Sequence, residues 1–548
     1  MNKAVKAFAL LLAIVFIVGA FNGCKATKLE AVMKSIEGNA YDFNDENGVS
    51  VHDPSLFRAE DGTYYVTGSH IASAKSTDLI NWNTISAGVY DSNRTLVKEG
   101  STLREVLNKA FAWCDAAQTL WLTEEENWQT NVWASTVIYN KAMGKYCYYA
   151  CASVWGTPMS VIWFAVSDDP EGTFEFVDTV VYSGFNNCLD EHKKPLNQLH
   201  YSNTNIADLI RKGTFTKKEI NAQPWFDEWG NYDCSYGKYP NAIDPALFYD
   251  ENGNLWLTYG SFSGGIYIMP IVEKTGLPDY KKMRDTEGYD IYFGKQISRT
   301  NEETENTGEG PFIVYDEQSG YYYLFLTYGG LSALEGYNIR EYRSENPDGP
   351  YLDAAGNDAC EMKSTGTKII PNYQFSADET AYLAAGHSSC LIDDDGNIYQ
   401  AYHQRYNDGW GGFFNVQIHQ MLRTANGWLT VLPTPYNGET AVAVTLADIA
   451  GEYEMILFSS ETKKTDDWSK VADIIEPTVT GKIDSNGKLT VDGKAGTVAI
   501  DNASYTFTLE LDGVTYYGAF CIGTQNGKSV MTMSAMSETN QTIWAIRK

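Results

Sequence analysis

Apolar and polar residues alternate along most of this chain in short runs, and the runs come in pairs. The stretch HDPSLFRAEDGTYYVTGS, from His52 to Ser69, holds an alternating segment, a polar turn at Gly62 and the aromatic segment Tyr64-Tyr65-Val66. A period of two on both sides of a Gly-containing turn predicts a β-hairpin. The outline recurs four times: VWASTVIYNKAMGKYCYYACAS turns at Gly144, IDPALFYDENGNLWLTYGS at Gly253, GEGPFIVYDEQSGYYYLFLTYGG at Gly320 and GHSSCLIDDDGNIYQAYHQ at Gly396. Each copy is followed by enough chain for further strands and connections. Five equivalent sheets predict an all-β, five-bladed β-propeller over residues 46–445. Beyond it, residues 446–548 alternate strongly and turn at Gly487, Gly493 and Gly513. That texture predicts a separate, small C-terminal antiparallel β-barrel, read as an accessory domain.

One residue leads each hairpin: Asp53, Ser135, Asp244, Glu309 and His387. The lead lies nine positions before the turn Gly in four copies and eleven before it in the Glu309 copy. The innermost strand of a propeller blade lines the central axis, so these five residues are expected to converge. An Asp before Pro, as at Asp53 and Asp244, is ordinarily a turn residue. Hairpin geometry, however, does not require carboxylates at equivalent places in three blades. Three carboxylates around one pocket suit glycoside hydrolysis. One carboxyl protonates the leaving oxygen, an ionised one activates water or attacks carbon, and a third holds the sugar or raises the acid's pKa. Glu309 has the reach for the acid and Asp53 suits the base. His387 is either a hydrogen-bonded core residue or a group that ligates a cation or holds a carboxylate. Trp133 is either a core aromatic or a platform for a sugar face. Asn241 and Ser261, flanking the third hairpin, are candidates to bind sugar hydroxyls. His403 and Arg405 either reach the pocket rim or form a structural ion pair. The insert at 186–240, rich in Asn, Lys and Tyr, is expected to shape the groove.

Charge and composition narrow the partners. A net charge of −29 repels nucleic acid and anionic lipid, and fits a neutral substrate. Aromatic residues at 14% suit a folded protein with aromatic-lined surfaces. Lys3 and Lys6 precede the apolar run Ala7–Phe21, and Gly23-Cys24 follows; residues 1–23 thus predict an export signal of the lipoprotein type. Cys24 is then the lipid anchor, residues 24–45 a tether, and the location extracellular or at the cell surface. Ordinary secretion is the alternative. The other eight cysteines show no zinc spacing, and most are expected to be buried thiols.

The chain resembles glycoside hydrolase family 43, and within it the two-domain bacterial endo-α-1,5-L-arabinanases. The residues that carry this are VHDPS around Asp53, GSHIASAKSTDLINW, NAIDPALFYDENGNLWLTYGS around Asp244, GEGPF around Glu309, GHSS around His387 and QMLRTANGWLTVLPTPYNGE. The resemblance implies a five-bladed propeller acting on arabinan or arabino-oligosaccharides with inversion of configuration. It implies Asp53 as general base, Glu309 as general acid, Asp244 as the residue that tunes and orients the acid, and His387 beside a bound metal, usually calcium (Ca2+). Trp133-Ala134-Ser135-Thr136 departs from the family's frequent Trp-Ala-Pro-Asp, which bears on the subsite at Trp133. The enzyme is expected to act as a monomer. The rival readings are an exo-acting arabinofuranosidase or β-xylosidase on the same fold, and a surface lipoprotein that binds glycan without cutting it. A sialidase would show SxDxGxTW boxes, which are absent.

Overall fold

The computed structural model describes residues 29–37, 49–121, 131–234, 238–299, 308–361, 365–501 and 504–548. The export segment and Cys24 lie outside the described residues. Five antiparallel sheets follow one another along the chain. Their innermost strands are Ser55–Arg58, Asn131–Asn140, Ala246–Tyr249, Glu309–Asp316 and Tyr382–Ile392. These five strands neighbour one another in that order and close into a ring, which makes a five-bladed propeller. We number the blades I to V. Blades I, II, IV and V have four strands, and blade III has a fifth, Lys295–Ser298.

Local chemistry explains the hairpins. Their strands are aromatic and β-branched, and their turns are closed by an Asp. Asp250 Oδ1 accepts from the amides of Asn252 and Asn254, and Asp393 Oδ1 from those of Asp395 and Asn397. Gly253 and Gly396 complete these turns at φ 76° and 81°, which a side chain would strain.

Every blade uses consecutive chain, so no shared sheet closes the ring. Blades V and I close it by packing. Val416 donates its amide to Val49 O at 2.8 Å, Leu56 donates to Ser389 Oγ at 2.9 Å, and Ser389 Oγ donates to Pro54 O at 2.8 Å. An apolar cluster of Val49, Leu56 and Val66 with Tyr399, Val416 and Ile418 fills the seam.

Eight strands from Gly451–Leu457 to Thr542–Arg547 form a closed antiparallel barrel. It is tied firmly to the propeller. Tyr323, Phe325 and Ile339 of blade IV share one core with Phe458, Trp544 and Ile546 of the barrel domain. The segment after the first barrel strand runs along blade IV, where Arg340 Nη2 donates to Ser460 O at 2.8 Å and Thr465 donates its amide to Leu334 O at 2.9 Å.

Two segments differ from expectation. Residues 29–36, within the stretch read as a tether, form a helix whose Ile36 is buried in the barrel core, with Leu29, Val32 and Met33 packed against it. That spacing of three and four is helical. The insert at 186–240 carries the helices Asn205–Arg211 and Lys217–Asn221, and its Ile206, Phe215 and Trp225 are buried in the core shared with blades I to III. It is packing material for the propeller's flank.

All eight described cysteines are free thiols, five of them buried. No helix among the described residues is long and apolar enough to cross a membrane.

Candidate active site

The ring's axis opens into a cavity of about 530 Å³. Four of the five lead residues line it: Asp53, Asp244, Glu309 and His387. Ser135 lies one level lower, in a narrow axial chamber that Asp53 and His387 also border. Backbone irregularity at the strand entries turns the side chains inward. Asp53 and Asp244 each take a left-handed φ of 56° just before Pro. Blades II, IV and V instead break register between Trp133 and Thr136, Glu309 and Phe312, and Gly386 and Ser388. Bulges beside a site commonly re-aim a side chain in this way.

Asp53 is held from several sides. Ser69 Oγ donates to its Oδ2, and His52 Nδ1 lies 2.9 Å from its Oδ1. Arg405 Nη2 approaches His52 Nε2 at 3.4 Å. A guanidinium only donates, so His52 Nε2 accepts and its proton is assigned to Nδ1, facing Asp53. His52 stacks on His403 with ring centroids 4.0 Å apart, and His403 Nδ1 accepts from the Asp53 amide at 3.3 Å. His387 Nδ1 stands 3.6 Å from Asp53 and 4.0 Å from Asp244. Burial pushes the Asp53 carboxyl up, but His52, then His387 and His403, outweigh it and hold it well below the usual carboxylate range. Burial also holds His387 and His403 below the ordinary imidazole value. Hydrogen bonds from Ser69 Oγ and His52 Nδ1 also face the Asp53 carboxylate.

The other two carboxyls go the opposite way. Burial raises Glu309 to about 7, aided by the charge of Asp53 and opposed by the hydrogen bond that Tyr337 donates to Glu309 Oε1 at 2.6 Å. Burial, then Glu309 and Asp53, push Asp244 well above its usual value. Ionising either member of the Asp244–Glu309 pair raises the cost of ionising the other. One cavity thus presents a readily ionised carboxyl on blade I and, on blades III and IV, carboxyls that hold their protons to higher pH than usual.

His52, Asp53 and His403 are the one set of donor atoms, among the described residues, close enough together to hold an ion. Their facing nitrogens are already engaged with Asp53, so the set is a hydrogen-bonded support for that carboxylate. His387 is placed differently. It borders the axial chamber, where Ser388 Oγ is buried without a hydrogen-bond partner. One imidazole, an unpartnered hydroxyl and a neighbouring carboxylate fit a cation whose remaining ligands are water.

Trp133 lines the cavity with Trp155, their rings edge to face at 5.7 Å, and Trp155 is 59% exposed. Asn241 and Ser261 do not reach the cavity. Asn241 Oδ1 accepts from Ser183 Oγ and the Ser261 hydroxyl pairs with Ser263 Oγ. Nor does any described residue of the insert 186–240 line it. Arg405 does reach it, and His403 lies fully buried behind His52. Sequence reasoning missed His52, Ser69, Tyr337 and Trp155. His52 alone had a local signal, next to the first lead Asp.

Carboxyls whose pKa values are pushed in opposite directions, in an aromatic-walled cavity, suit a glycoside hydrolase. The chain belongs to glycoside hydrolase family 43: residues 202–429 match the model for glycosyl hydrolases family 43, and residues 433–545 match that for its C-terminal lipocalin-like domain. It is 32% identical over 519 residues to the extracellular endo-α-(1→5)-L-arabinanase of Thermotoga petrophila, covering 91% of this chain and 93% of that one. It is 31% identical to extracellular endo-α-(1→5)-L-arabinanase 2 of Bacillus subtilis, covering 90% and 92%. The crystal structure of the endo-1,5-α-L-arabinanase from Thermotoga petrophila superposes with a TM-score of 0.72 at 30% identity, over 91% of this chain and 99% of that one.

Proposed function

We propose that this enzyme hydrolyses α-1,5-L-arabinofuranosidic bonds within arabinan, with inversion, outside the cell that makes it. The observation that carries the mechanism is the opposed displacement of two carboxyls in one cavity, Asp53 downward and Glu309 upward. Such a split assigns the base and the acid. Ionised Asp53 takes a proton from water as the water attacks the anomeric carbon. Glu309 gives its proton to the departing glycosidic oxygen. Asp244 tunes and orients Glu309. Trp133 and Trp155 offer the sugar a hydrophobic wall. The substrate and the export reading rest on relatives named as extracellular endo-arabinanases.

The test is a time course on linear 1,5-α-arabinan with products resolved by length. A ladder of mixed oligosaccharides is expected. Arabinose alone from the first minutes would move the enzyme to the exo-acting class. Arabinan bound but uncut would return the glycan-binding reading.

Calcium at His387 belongs to the same proposal. His387 would hold the ion directly and Ser388 would hydrogen-bond its water. The ion would supply positive charge beneath the carboxyls. Elemental analysis of dialysed enzyme is expected to find about one calcium per chain, lost in His387→Ala. No metal in the wild type would remove the ion from the proposal.

A further inference from the structure

A second cavity, of about 630 Å³, has walls from both domains. The propeller gives it Ser332, Glu335 and Trp410, and the barrel domain gives it Lys464, Asp466 and Trp468. Consecutive residues of one loop connect it with the catalytic cavity. Leu331 lines the first and Ser332 the second. Arg405, in the catalytic wall, donates from Nε to Leu331 O at 2.9 Å and from Nη1 to Gly411 O at 2.8 Å, so one guanidinium holds the two loops that separate the cavities.

The aromatic groups here are unusually placed. Trp410 is 77% exposed, the most open large apolar side chain among the described residues. Leaving an indole in water forgoes about 25 cal/mol per Å² of apolar surface, and such exposure commonly marks a binding surface. Trp468 is held against the propeller. A Cβ on Gly411, at φ 72°, would come within 3.1 Å of the Trp468 ring and 3.2 Å of Ala333, so glycine favours this close approach of the Trp410 loop. The backbone bond from Thr465 to Leu334 fixes the barrel segment in place. A flat apolar face beside the carboxylates of Glu335 and Asp466 and the ammonium of Lys464 matches the two-sided chemistry of a sugar, C–H on one face and hydroxyls at the edge.

We propose that this second cavity is a distal sugar-binding subsite, in which Trp410 stacks on the arabinan chain several residues from the cleaved bond and the barrel domain completes the wall. The proposal rests on the arabinanase reading. It gives the barrel a part in substrate binding. It also makes the cleft continue beyond the catalytic cavity, as internal cleavage requires.

The test compares kcat/KM on 1,5-α-arabino-oligosaccharides from the trisaccharide to the octasaccharide for wild type, Trp410→Ala and Trp410→Phe. In the wild type kcat/KM is expected to climb with length until the chain fills both cavities. In Trp410→Ala the climb is expected to stop early, with a loss of about 3- to 10-fold on the octasaccharide. Trp410→Phe is expected to recover most of it. A Trp410→Ala profile that parallels the wild type at every length would overturn the subsite, as would an equal loss on the trisaccharide and the octasaccharide. Failure of the wild type to cut any of these oligosaccharides would instead overturn the arabinanase reading and, with it, this occupant.

Discussion

Glu309→Gln is expected to lower kcat on linear arabinan by about 10²- to 10⁴-fold, the usual contribution of a positioned general acid. Gln keeps the shape and the hydrogen bond from Tyr337, which donates to Glu309 Oε1 at 2.6 Å, and removes the proton that the leaving oxygen needs. Two further readouts separate this from a general loss. Wild-type kcat/KM is expected to fall as pH rises through about 7, where Glu309 ionises, and the variant is expected to lack that limb. An aryl arabinotrioside, whose phenolate departs unprotonated, is expected to be cut by the variant with a far smaller loss. An equal loss on both substrates would place Glu309 outside the acid role. Stability moves in the other direction. With its folded pKa at about 7, above an ordinary 4.5, Glu309 keeps its proton longer in the folded state. Its destabilising effect therefore grows as pH rises from about 4.5 and is complete above about 7, where it reaches about 3 kcal/mol. The Gln variant escapes it, so its Tm is expected to exceed that of the wild type above neutral pH and to match it at pH 4.

How much of this site the sequence displays follows from where each residue stands in the blade repeat. Asp53, Asp244, Glu309 and His387 occupy one repeated position, and five copies of a hairpin made that position visible. Their partners have no such register. Tyr337 begins the third strand region of blade IV, and nothing in GYNIREY distinguishes it from the many structural tyrosines. Arg405 comes from the second strand of blade V and acts by holding two loop carbonyls, a role set by tertiary contact alone. Trp155 lies in a tight turn after a buried strand. Asn241 and Ser261 show the converse. They flank the Asp244 hairpin in sequence, yet neither lines the cavity, and their side chains hydrogen-bond to Ser183 and Ser263. Adjacency along a strand does not decide which way a side chain faces when a left-handed residue intervenes. The helix Asn108–Trp121 also went unread, although Ala110, Phe111, Cys114 and Ala117 carry its buried helical stripe.

Asp53→Asn tests the other half of the mechanism, and its choice follows from the backbone. Asp53 sits at φ 56°, a conformation that Asn tolerates and most residues do not. The amide oxygen can still accept from Ser69 or His52, so the pocket is expected to keep its shape while losing the negative charge. Loss of kcat by about 10²- to 10⁴-fold is expected on arabinan. Here the aryl trioside is expected to give no relief, because water remains unactivated whatever the leaving group. Azide, which attacks without giving up a proton, is expected to restore turnover and to form the β-configured glycosyl azide. The wild type is correspondingly expected to release the β-anomer first, as seen by proton NMR in the opening minutes. An α-anomer from the wild type would mean two displacements through a covalent intermediate. Asp53 would then be the nucleophile, and the network of Ser69, His52 and Arg405 would serve to hold an attacking carboxylate in line with the anomeric carbon.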